Sequence, residues 1–187
     1  MSTFFDFGDG KGLRSAHQHR NPDGHLGGWV ADTAKVASVA YVLPDACVCD
    51  NAIVKGRACV GGHARICGEA VIADLACVYG NAIVCDQATV GERAQVFGSA
   101  QICDHAMVMG NAMVFDQAMV FGDALVTGKA TVCENASICG DMLVAGNARI
   151  NDHTPAVEFE RLPSAQRFIS ASSPTIANLL ELDNSIG

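Results

Sequence analysis

Positive charge is scarce in this sequence: 12 Lys and Arg stand against 20 Asp and Glu over 187 residues. Phosphate backbones are held by clustered cations, so a chain this acidic is a poor candidate for binding nucleic acid. Long apolar runs are missing too. No stretch reaches the roughly 18 apolar residues of a helical membrane span, and none is expected. The N-terminus MSTFFDFGDGKG lacks a basic start followed by an apolar run, so it does not read as a secretory signal. Without an export signal, the nine cysteines are expected as free thiols in a reducing cytoplasm. What the chain has in quantity is apolar residues, 50% of the total. That is high for a chain of this length, and the excess must form surface somewhere.

A repeat accounts for it. Alanine recurs every six residues from Ala34 to Ala148, broken only by Met142. Two residues after each comes Val or Ile, from Val36 and Val42 to Val144 and Ile150. Four residues after each comes Gly, Asp or Glu, as at Gly56, Asp74, Gly80 and Glu92, with Ser38 and Pro44 the exceptions. Six is not a multiple of the helical 3.6, and β-branched residues favour strands. Alternate side chains of a strand share a face, so each Ala and its Val or Ile point one way. Gly, Asp and Asn supply the turn that follows. Each hexad reads as a short strand and a corner.

The outward positions give the lap length. Stepping by eighteen places Cys49, Cys67, Cys85, Cys103, Phe121 and Cys139 in one row, and Tyr79, Phe97, Phe115 and Cys133 in another. Like stacks on like every three hexads, as in-register parallel strands around a three-sided coil would require. Residues 34–153 therefore read as a parallel β-helix of about six to seven coils, roughly 30 Å long at the usual strand spacing.

This repeat resembles the hexapeptide-repeat proteins, in which an aliphatic residue is followed four positions later by a small one, as Val36 is by Ala40 and Val48 by Ala52. The likeness covers about 120 of the 187 residues. It departs from the family pattern just after the aliphatic position, where Cys, Phe, Met or Tyr often stands, with Gly or Asp one place later. The resemblance implies a left-handed coil, a handedness opposite to ordinary sheet crossovers. It also implies two chemistries: acyl transfer from an acyl-CoA with a histidine as general base, and zinc catalysis using three histidines. The N-terminal stretch is similar to that of uncharacterised prophage members of the family.

Residues 1–33, rich in glycine, are expected to form a loop-rich cap over the first coil, where a bare edge would recruit other chains. Residues 154–187 leave the repeat. There Ser173-Pro174 looks like a helix start, with Ile176, Leu179, Leu180 and Leu182 at near-helical spacing. Such a short helix would serve as a cap or as an oligomer contact.

Little points to catalysis. His63, His105 and His153 all fall at corners. His63 and His153 share an edge five coils apart, and His105 lies on another, so they do not meet on one metal within a subunit. His63 and His105 remain the candidates for an acyltransferase base. No loop interrupts the hexads to shape a substrate cleft, and no basic cluster awaits the phosphates of CoA. His17, His19 and His25, with Asp23 nearby, form an alternative metal site. All twelve acids between 34 and 153 sit at corners. One corner stacks Asp116, Glu134 and Asp152, where calcium or simple hydration would relieve the repulsion.

The outside of the prism is more telling, because all nine cysteines face outward. One face carries Cys47, Cys49, Cys67, Ile83, Cys85, Cys103, Met119, Phe121 and Cys139, with only Arg65, Gln101 and Ser137 polar. It offers on the order of 400 Å² of apolar surface, a size that marks interaction sites. The row Tyr79, Phe97, Phe115 adds an aromatic strip. The expected function is a non-catalytic assembly or binding protein, a dimer or trimer meeting a protein partner, with no cofactor. A phage-made inhibitor of a host protein is one form of it; the alternatives are an acyltransferase and a metal-dependent enzyme.

Overall fold

The computed structural model describes residues 3–152 and the backbone of residues 168–170. Strands of two residues, three at Leu143–Ala145, follow one another every six residues from β4 (Lys35–Val36), β5 (Tyr41–Val42) and β6 (Cys47–Val48) to Arg149–Ile150. Each pairs in parallel with the strand eighteen residues on, as Val71 with Thr89 and Ile83 with Gln101. The strands thereby form three sheets along one axis. The expected lap of three hexads is the observed one, and there are about seven coils. We call the sheet that contains β6 the cysteine sheet and the one that begins at β5 the aromatic sheet.

The interior is narrow and apolar. From Ala40 to Val144 the inward Ala and Val or Ile side chains are almost all fully buried in a single cluster. Alanine leaves room for the chain to turn toward the next face, while Val and Ile fill the axis. Hydrogen bonds between coils run along the strand and through the corner, as from Ile53, Lys55 and Arg57 N–H to Ala70, Ile72 and Asp74 C=O at 2.7–2.8 Å. The fourth residue after the alanine takes a positive φ at every hexad from Asp50 to Gly146. Gly adopts this freely and Asp tolerates it, which explains the composition of that position.

Aspartate has a second use there. The carboxylates of Asp50, Asp74, Asp86, Asp104 and Asp116 each accept the N–H of the residue eighteen later, at 2.9–3.3 Å. Corner acids are thus joined to the ladder between coils.

The N-terminal region differs from the expected loop-rich cap. It holds three strands, β1 (Thr3–Asp6), β2 (Leu13–Arg20) and β3 (Leu26–Ala31). β3 pairs in parallel with β6, placing Trp29 beside Cys47, and β2 and β1 add antiparallel. Gly8, Gly10, Gly12 and Gly24 lie in the turns with positive φ. Gly27 and Gly28 instead lie inside β3 because it crosses the first coil closely: a Cβ on them would stand 1.9 Å from Val42 O and 2.0 Å from Ala46 O. Glycine there signals contact, not a loop.

This meander closes the rod's first edge with side chains. His19 and Asn21 are buried. Asn21 donates to Val42 O at 3.1 Å and accepts from Val42 N–H at 2.9 Å, so its amide stands in for a neighbouring strand. His19 Nε2 lies 3.0 Å from Ala40 O. At the other end, Phe168–Ser170 pairs in parallel with Leu143–Ala145. The helix expected after Ser173 lies outside the described residues.

Candidate functional site

Outward positions of the cysteine sheet fall in two columns. Cys47, Arg65, Ile83, Gln101, Met119 and Ser137 form the first. The corner column contains Cys49, Cys67, Cys85, Cys103, Phe121 and Cys139. No cysteine belongs to the tube's inner cluster.

The face is not uniformly open, which corrects its expected use as a continuous contact surface. Phe7 and Ala16 are buried against Cys49, with Phe5, Trp29, Cys47 and Cys67 packed around them. Phe5 stacks on Trp29 at 4.6 Å and meets Phe7 edge-on at 5.0 Å. The chain's own arm therefore covers the first coils of this sheet. The strands that close the rod also carry the β1–β2 turn over the face. Cys49 is fully buried for this reason, although its position in the repeat is an outward one. Farther along, Ile83, Cys85, Cys103 and Phe121 are half-buried, and Met119 and Cys139 are exposed.

Charges fasten the arm. Arg14 pairs with Asp50 and with Asp9, each at 2.6 Å, while Lys11 reaches Asp50 at 3.0 Å. The Arg14 guanidinium also lies 4.8 Å above the Phe7 ring. Arg65 donates to Gly8 O at 3.4 Å. Burial alone would raise Asp50, but the Lys11 ammonium, the Gly68 N–H and Arg14 outweigh it and hold the carboxyl below its ordinary value. The thiols move the other way. Burial, with the Cys49 thiol beside it, pushes Cys47 up to about 11. The Cys67 thiol and burial push Cys49 higher still. Cys49 pulls Cys67 down, but Cys85, burial and Asp50 push it up to about 12. Such thiols are poor nucleophiles at neutral pH.

Two corner groups bring three possible ligand atoms within 4.8 Å of one another: Cys49, Asp50, Cys67 and Cys85, Asp86, Cys103. In the second, Cys85 Sγ–H donates to Asp86 Oδ2 at 3.3 Å, and Asp104 N–H donates to the same oxygen at 3.3 Å. Sequence reasoning passed over these trios. The signal was present in the Cys-Asp dipeptides 49–50, 85–86 and 103–104, which fall on the eighteen-residue step.

The expected histidine sites are not assembled in this way. His17 Nδ1 is 2.8 Å from Asp32, His19 holds Ala40 O, and exposed His25 sits 3.4 Å from Asp23. Each is engaged separately, and they form no three-ligand group. His63 is an exposed corner residue. His105, also exposed, lies 3.7 Å from Asp123. His153 falls outside the described residues. Asp116 and Glu134 share a corner, where Asp116 accepts the Glu134 N–H at 3.1 Å; with Asp152 they form no group of the kind above. Tyr79, Phe97 and Phe115 do stack, at 5.3 and 4.8 Å, with Tyr79 Oη donating to Gln95 at 3.0 Å.

Residues 100–116, close to one full coil, match the family model of the YdcK β-solenoid repeat. Together with the three parallel sheets, the match supports placing the chain among β-helix repeat proteins. Searches of curated proteins and of solved structures give no match.

Proposed function

We propose that this chain is a non-catalytic assembly and binding protein, a rod that associates with its own copies through the open part of the cysteine sheet and offers its corners or ends to a protein partner. The observation that carries this reading is the stretch from Ile83 to Cys139. There Ile83, Cys85, Cys103, Met119, Phe121 and Cys139 are partly or fully exposed, and only Gln101 and Ser137 are polar. A flat apolar strip edged by corner acids has the layout of an interface core and rim. Parallel in-register rods, as a dimer or trimer, would bury Ile83, Met119 and Phe121 on every copy and leave the corner thiols Cys85 and Cys103 at the rim. Free thiols on such a surface suit a cytoplasmic setting. A phage-made inhibitor is the same reading with a host protein as partner.

Sedimentation of the reduced protein tests it. The wild type should run as a dimer or trimer at micromolar concentration, and Met119→Glu or Phe121→Arg should weaken association at least about tenfold, because each leaves a charge in an apolar contact. A monomeric wild type would sink the proposal. So would acyl-CoA turnover that disappears in His63→Ala or His105→Ala.

A further inference from the structure

The geometry points to a binding site for a thiophilic divalent cation of the zinc class at Cys85, Asp86 and Cys103. This does not rest on self-association: all three ligands come from one chain, and a monomer would bind equally.

Three observations meet here. Cys85 Sγ, Cys103 Sγ and a carboxylate oxygen of Asp86 lie within 4.8 Å of one another. Tetrahedral zinc with two thiolates and a carboxylate needs neighbouring donors about 3.5–3.8 Å apart, so side-chain rotations of about 1 Å complete the set and leave one position for water. The carboxylate is also oriented beforehand. Asp86 is held at positive φ, and the Asp104 N–H fixes its Oδ2, as outer hydrogen bonds fix metal ligands. Its Oδ1 has no hydrogen-bond donor among the described residues. Finally, the half-buried thiols are reachable from solvent. Two sulfurs favour a soft cation over calcium or magnesium. On binding, each thiol gives its proton to solvent and each sulfur gives the metal an electron pair; no oxidant is needed.

The molecule contains its own control. Cys49, Asp50 and Cys67 repeat the same trio two coils earlier. There Lys11 and Arg14 already hold the carboxylate, and Cys49 is buried beneath the arm. Two fixed cations beside the carboxylate repel a third. The site therefore lies at the second trio and not the first.

Calorimetric titration of the reduced, tag-free chain with Zn(II), alongside the thiolate charge-transfer absorbance of Cd(II), tests this. One ion per chain should bind with release of protons, and neither Ca(II) nor Mg(II) should replace it. Cys85→Ser and Cys103→Ser should abolish binding, and Asp86→Asn, which still tolerates positive φ and still accepts the Asp104 N–H, should weaken it at least about tenfold. Cys49→Ser should leave it unchanged. Circular dichroism of each variant separates loss of the site from loss of the fold. The inference is overturned if the wild type binds neither metal, if folded Cys85→Ser or Cys103→Ser binds normally, or if Cys49→Ser alone abolishes binding.

Discussion

The first and second Cys-Asp-Cys trios of the cysteine sheet have identical side chains at the same corner, yet they differ in nearly everything chemical. At Cys49, Asp50 and Cys67 the arm brings Lys11, Arg14 and Phe7, which neutralise the carboxylate and exclude water from the thiol. At Cys85, Asp86 and Cys103 the same backbone presents half-open sulfurs and a carboxylate oxygen without a donor among the described residues. A repeat copies geometry along the axis. Reactivity is set by what lies over each copy.

That contrast can be broken most forcefully at the arm's anchor. Asn21→Leu should leave both polar groups of Val42 buried and unpaired, costing about 3 kcal/mol in denaturant unfolding. A loss under about 0.5 kcal/mol would mean that water satisfies this edge as well as the amide does. Next comes Asp50→Asn, expected to cost about 1–2 kcal/mol at neutral pH, discounted because Lys11 is largely exposed. The sign follows from the lowered carboxyl. Its contribution is fully present above the unfolded value near 3.9 and disappears as pH falls through the lower folded value. The gap between wild type and variant should therefore begin to narrow below about pH 4 and close only once the pH is below the lower folded value; a gap that persists below that value would deny Asp50 this role. The smallest effect is kinetic. Alkylation followed by peptide mapping should modify exposed Cys139 first and Cys49 among the last, and Phe7→Ala should speed Cys49 by about tenfold as the arm loosens. Equal rates at Cys49 and Cys139 in the wild type would mean that the arm is not in place in solution.

Much of the rod was legible in advance, because a β-helix is specified locally. Ala, then Val or Ile two positions later, gives the inward face; Gly or Asp two further on gives the left-handed corner; and the Cys and aromatic rows give the lap. Each signal recurs within eighteen residues, and many repetitions average out exceptions such as Met142. The N-terminal strands were missed because their partners are remote and their glycines resemble loop glycines. Gly27 and Gly28 read as a turn until Val42 O and Ala46 O are seen against them. The histidines at 17 and 19 suggested a metal for a similar reason: alternation places them on one side, but only the fold gives His19 to an open strand edge and His17 to Asp32.

The sequence by itself determined the three-sided tube, its eighteen-residue lap and the outward placement of every cysteine, since those follow from short-range periodicity and the steric needs of a corner. Only the tertiary structure decided which cysteines are covered. Exposure at Cys49 depends on Phe7 and on ion pairs spanning 36 and 39 residues, contacts that no repeat encodes because they join the repeat to a segment outside it.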